Sequence, residues 1–166
     1  MTNPLSRDAA FAVADPALNS IFIVRMPFSF NSLTELVAEQ VTPTFHKTPA
    51  QARFSQGSND YYPGTTDVDG ISVTFYEAYT YSTSKWLNSW RRMVYDPITS
   101  NFGVPKSYKQ NIVVEAYSRF STSPVRTITY TGCWPTDRGP YEYNYTDETG
   151  RITVQAQFSV DSVSEV

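Results

Sequence analysis

VRTITYTGCWPTDRGPYEYNYTDETGRITVQAQFSVD, residues 125–161, decides the fold. In its last third, Ile152, Val154, Ala156, Phe158 and Val160 alternate with Thr153, Gln155, Gln157 and Ser159. A period of two puts the apolar set on one face of a half-buried β-strand and the hydroxyls and amides on the other. The first third has the same rhythm, with Ile128, Tyr130 and Trp134 expected opposite Thr127, Thr129, Thr131 and Cys133. A Pro/Gly corner joins the two strands.

Upstream, Asn111 to Tyr117 reads as another strand with Ile112, Val114 and Ala116 on one side, after a loop over Ile98 to Lys109. One helix is predicted. Trp86, Leu87, Trp90, Met93 and Val94 form an apolar stripe at helical spacing. Thr80 to Ser84 offers several N-caps, Arg91 and Arg92 suit the C-terminal dipole, and Asp96-Pro97 ends the helix. Trp86, Leu87, Trp90 and Met93 are therefore expected to be core. Gly70 to Tyr76 is a strand with Ile71, Val73 and Phe75 inward, and Asn19 to Phe28 is a second. Between them, Leu33 to Val41 fits two readings. Ser32 and Glu35 have capping-box spacing for a short helix, while Leu33, Glu35, Val37, Glu39 and Val41 alternate as a strand would.

Thr42 to Asp69 changes character. Pro43, Pro49, Gly57, Pro63 and Gly64 punctuate it, yet it holds Phe45, Phe54, Tyr61 and Tyr62. A long stretch without strong periodicity is uncommon inside a compact domain and is more often functional. An extended arm that orders against a partner is expected here. Residues 1–18 read as a loosely held N-terminal arm.

The 166 residues suffice for one domain, folding without metal or disulfide. Charged residues make up 17% against about 25% in ordinary domains, while there are 12 Tyr and 10 Phe. Such polar but uncharged surface suits broad contacts with protein or sugar. The net charge of −3 and the lack of a basic cluster larger than Arg91-Arg92 argue against binding through phosphates. Cys133 is alone, so no internal disulfide forms. No long apolar run and no leader pattern is present in the sequence, so a soluble protein without a cleaved signal or membrane anchor is expected.

The parts for catalysis are few. His46 is the one histidine and sits in the arm, where a loop or interface role is the simpler reading. Cys133 has no neighbouring base in sequence and reads as core or interface. Asp67-Val68-Asp69-Gly70 opens like a calcium loop, but the chain turns into a strand before the remaining ligands appear, so a turn is preferred. Asp137, Glu142, Asp147 and Glu148 supply carboxylates without any sign of a cleft between them. No enzyme and no cofactor is expected. A different class, a carbohydrate-binding module, would use exposed rings among Tyr61, Tyr62, Tyr141, Tyr143 and Tyr145.

The order Tyr108-Lys109, Ile112-Val113, Tyr117, Arg119, then Gly132-x-Trp134-Pro135-Thr136, Gly139 and a closing strand ending at Asp161 resembles the tail tube proteins of contractile-tailed bacteriophages. The likeness is densest from Ser107 to Asp161, and the Gly-x-Trp-Pro-Thr corner is its most specific part. It implies a mainly β chain, an antiparallel sandwich or barrel with one packed helix and a long extended loop. In that family Leu33 to Val41 would be the return strand of a hairpin. The resemblance further implies hexameric rings stacked into a tube that DNA passes through without specific binding. Its partners would be further copies of itself, the tail sheath, baseplate and terminator proteins, in a virion assembled in a bacterial cytoplasm. Residues 43–69 would be the inter-ring arm, with Phe54, Tyr61 and Tyr62 in contact. Thr127, Thr129, Thr131, Thr153, Gln155, Gln157 and Ser159 would face the lumen. A tube-initiating baseplate protein or a type VI secretion tube protein would share the fold.

Overall fold

The computed structural model describes residues 22–28, 38–55, 57–77, 80–118, 122–140 and 152–166. The expected N-terminal arm, residues 33–37 of the ambiguous stretch, Arg119 and the acids and tyrosines of 141–151 lie outside them.

The described strands are β1 (Phe22–Arg25), β2 (Ala38–Thr42), β3 (His46–Lys47), β4 (Ala50–Ser55), β5 (Ser58–Pro63), β6 (Asp67–Val68) and β7 (Ile71–Tyr76). Helix α1 (Ser82–Val94) follows, then β8 (Tyr95–Asp96), β9 (Asn101–Phe102), a turn of helix α2 (Pro105–Tyr108) and β10 (Gln110–Tyr117). The chain closes with β11 (Pro124–Arg138), β12 (Thr153–Ser159) and β13 (Ser162–Glu165). A seven-stranded sheet in the order β1-β10-β11-β12-β7-β2, with β13 also on β11, carries the architecture. Its pairings are antiparallel throughout.

β11 is the central element, 15 residues long. Its first half pairs with β10 and β13, its second half with β12. Its alternation does not run unbroken as the sequence rhythm implies. Ile128 and Tyr130 are buried, but the next buried positions are Cys133 and Pro135. The phase slips at Gly132, whose φ of 70° inserts one residue into the ladder as a bulge does. Cys133 therefore sits in the core with Tyr130. Trp134 is only half-buried, edge-on to Tyr108 at 6.3 Å. Opposite Gly132 the partner strand breaks too, between β12 and β13. The Asp161 N–H donates to Thr131 O at 3.0 Å, and the Asp161 carboxylate covers Gly132 and accepts from Lys109 Nζ at 2.7 and 2.8 Å. Both strands turn together at this corner.

The inward sides of these strands make the core: Ile71, Val73 and Phe75, then Ile112 and Val114, then Val154, Ala156 and Phe158. Helix α1 lays Trp86, Leu87 and Trp90 on it. Trp86 packs edge-on to Phe75 at 6.1 Å, and Trp90 meets Phe158 at 5.4 Å and Phe28 at 5.7 Å. The indole N–H groups are satisfied inside, Trp90 donating to Tyr108 O at 2.7 Å and Trp86 to Pro27 O at 3.1 Å. Met93, expected in this stripe, is 36% exposed. The last turn of α1 is bonded to the connection that follows it, where Gly103 N donates to Val94 O at 2.9 Å.

The helix start also differs from expectation. Tyr81 occupies the N-cap with φ 54° and makes no capping bond. Glu77, from the end of β7, takes that role instead. Its two oxygens accept from the backbone N–H of Thr83 and of Ser84, each at 3.1 Å, and Ser84 Oγ donates to it as well.

Candidate assembly surfaces

Residues paired across an antiparallel ladder share a face. Thr153, Gln155 and Gln157 stand opposite Tyr76, Thr74 and Ser72, and Gln40 and Thr42 of β2 extend the rows. Gln155 Nε2 donates to Ser72 Oγ at 3.2 Å. Along the other half of the sheet, Thr127 lies opposite Glu115 and Thr129 opposite Val113. On the far side of β11, Thr129 and Thr131 face Ser164 and Ser162. All the residues expected at a lumen thus lie on the side of the sheet turned away from the core.

That side is mostly hydroxyl and amide but not free of charge. Arg25 Nε donates to Glu115 Oε1 at 2.9 Å, and Tyr117 OH to Glu115 Oε2 at 2.7 Å. Glu115 is held below the ordinary carboxylate value, first by Arg25 and then by Tyr117, and the same bonds raise Arg25 and Tyr117. The cation is neutralised where it stands. Among the described strands, β1 and β2 are the outer members of the sheet order.

The second surface is the arm. It is not an irregular loop but a β-ribbon, with β3 paired to β6 and β4 to β5 through a turn at Gly57 with φ 86°. Its base is fastened to the body. Thr44 N donates to Tyr130 OH at 3.2 Å, Thr44 Oγ1 to Asp69 O at 2.7 Å, and Arg126 lies over the Phe45 ring at 5.2 Å. Beyond Pro49 the hairpin stands in solvent. The register puts Ala50, Ala52, Phe54, Tyr61 and Pro63 on one face and Gln51, Arg53, Asp60 and Tyr62 on the other. Phe54 and Tyr61 are 73% and 70% exposed. Tyr62, grouped with them from sequence, points to the opposite face.

The residues weighed for chemistry have structural occupations. His46 Nε2 bonds Val163 O at 3.0 Å and holds the ribbon to β13. Burial pushes the Cys133 thiol up to about 12. Asp67 and Val68 form β6 instead of the expected turn, and Asp67 Oδ1 accepts from Val68 N at 2.8 Å. Among the described residues no group of His, Cys, Asp and Glu side chains is arranged to hold a metal ion. The corner network of Lys109, Gly132 and Asp161 was named residue by residue in sequence, but its geometry was not legible there.

No protein-family model matches this chain, and no curated protein matches it in sequence. Solved structures do. The sheath/tube terminator of an extracellular contractile injection system (PVC) matches at a TM-score of 0.74 and 14% identity, covering 93% of this chain and 99% of that one. The sheath–tube complex of the same system matches at 0.64 and 15%, covering 97% and 98%. The SPP1 tail tube matches at 0.53 and 8%, covering 90% and 78%. The chain has the fold of the tail tube proteins, mainly antiparallel β with one principal helix.

Proposed function

We propose that this protein is a structural tail tube subunit, whose copies close into hexameric rings and stack into the tube through which phage DNA reaches the host. The observation that carries the reading is the exposed β4–β5 hairpin on a tube-protein fold. A two-stranded hairpin is marginally stable in water by itself. Among the described residues this one presents an exposed apolar face, which suits a neighbouring copy.

The outer strands β1 and β2 support lateral assembly, since open sheet edges recruit further strands and rotational symmetry closes them. The polar side of the sheet would then line the lumen. Its hydroxyls and amides offer a phosphate backbone no array of cations, so DNA slides rather than binds. Sheath, baseplate and terminator proteins are the partners this reading implies, in a virion assembled in the bacterial cytoplasm.

Negative-stain electron microscopy of the purified protein over a concentration series tests the proposal. Hollow filaments or stacked open rings are expected. Monodisperse monomers at every concentration would reject self-assembly, and retardation on polysaccharide gels would then favour a sugar-binding module. Deleting residues 55–62 is expected to leave a folded subunit that forms no filaments; tubes of normal length would remove the arm from the account.

A further inference from the structure

A second exposed apolar set lies at the far end of α1. β8 and β9 form a short hairpin in which Tyr95 and Phe102 stack at 5.0 Å. Ile98 in its turn is 82% exposed and Phe102 is 81% exposed, with Val104 and Met93 exposed beside them. Asp96 Oδ1 accepts from Ile98 N at 3.0 Å and Asp96 Oδ2 from Thr99 Oγ1 at 3.0 Å, so this turn is built rather than loose. A rigid turn that holds an isoleucine and a phenylalanine in water is a contact surface without its contact.

We propose that this patch is the receiving surface for the β4–β5 hairpin of a second copy of the chain. The inference rests on the tube-subunit reading and names the surface the arm meets. Placement is the first argument. The ribbon is tied to β13, along one edge of β11, through His46 and Val163. The patch leads through α2 into β10, along the opposite edge of β11. The hairpin and the patch are different surfaces of the chain, so a contact between them is heterologous and joins copies head to tail, as stacking in an open filament requires.

Chemistry is the second argument. The hairpin offers Ala52, Phe54 and Tyr61 on one face, and the patch offers Ile98, Phe102 and Val104. Aromatic anchors meeting aliphatic surface form the centre of ordinary protein interfaces. The arm's exposed charges stand opposite one another across the ribbon, Arg53 facing Asp60 and Lys47 facing Asp67, so the match rests on the apolar anchors and not on charge.

Two variants test the pairing. Ile98→Asp alters a solvent-exposed turn and spares the core; Phe54→Asp alters the hairpin. Each alone is expected to abolish filaments in negative stain while circular dichroism keeps the wild-type spectrum. Mixed one to one, they are expected to give discrete complexes holding both chains and no filaments, because each retains one of the two surfaces. Filaments of normal length from Ile98→Asp, or no mixed complex, would overturn the proposal and leave the patch to another protein such as a sheath. Val104→Asp repeats the test beside the turn. In a Cys133→Ser chain carrying Phe54→Cys and Ile98→Cys, oxidation is expected to yield a ladder of linked subunits only under assembling conditions. A wild-type chain that never assembles would instead reject the tube reading itself.

Discussion

At the scale of single residues, Gly132 carries the largest constraint. Its φ of 70° is a left-handed conformation that costs any other L-residue about 1–2 kcal/mol, and a Cβ there would overlap the Asp161 carboxylate. Gly132→Ala is expected to cost at least about 2 kcal/mol in urea unfolding, since the backbone penalty and the overlap add. Adding Asp161→Ala should recover part of that loss, the part due to overlap; no recovery would mean that the backbone conformation accounts for all of it. Glu115 makes the second case. Its folded pKa lies below the ordinary 4.5 because Arg25 and then Tyr117 donate to it. A depressed carboxyl contributes stability above its unfolded pKa and loses it as pH falls through the folded value. The stability difference between wild type and Arg25→Gln is therefore expected to be constant above pH 4.5 and to shrink below it. A difference that grows in acid would contradict the assignment. The sequence named Gly132, Asp161 and Lys109 but not their meeting, because a one-residue slip in a strand leaves no trace in composition. Strict alternation put Cys133 on the wrong face for that reason alone.

At the scale of elements, the helix was legible and its beginning was not. Trp86, Leu87 and Trp90 at helical spacing could hardly belong to anything else, since three large apolar side chains on one face must be covered. The cap, however, comes from Glu77, which precedes the helix by several residues and matches no local capping pattern. Glu77→Ala should lower stability by about 1 kcal/mol, the usual loss when an N-terminal cap is removed. Chemical denaturation reads it directly, and an unchanged midpoint would show that water caps the helix equally well. The arm was missed as a ribbon for a different reason. Ala50-Gln51-Ala52-Arg53-Phe54-Ser55 does alternate, but two of its apolar members are alanines and neither face meets a core. Pattern reading depends on burial, and the described side chains of this hairpin are exposed. β13 escaped notice because Ser162 to Glu165 is polar and short, and only its pairing with β11 makes it a strand.

At the scale of the whole molecule, the sheet buries one face in the core and leaves the other to solvent, and the proposed tube would turn that second face to its lumen. The polar rows Thr153-Gln155-Gln157 and Thr127-Thr129-Thr131 lie on that second face in the single chain, where they meet solvent. In a closed ring they would meet the lumen, and the two situations differ in access rather than in local structure. Thr153→Cys and Gln155→Cys in a Cys133→Ser chain distinguish them, with Lys85→Cys on the exposed side of α1 as the reference. In dissociated subunits a bulky polyethylene-glycol maleimide is expected to label Gln155→Cys and the reference position at similar rates. In assembled tubes labelling at 153 and 155 should fall at least tenfold while the reference is unchanged, because the reagent enters only through the two ends. A small maleimide should still react, which separates a narrow channel from burial in a contact. Equal labelling by the bulky reagent at both places would put this face on the outside of the assembly. The lumen would then have to be sought on another surface of the chain.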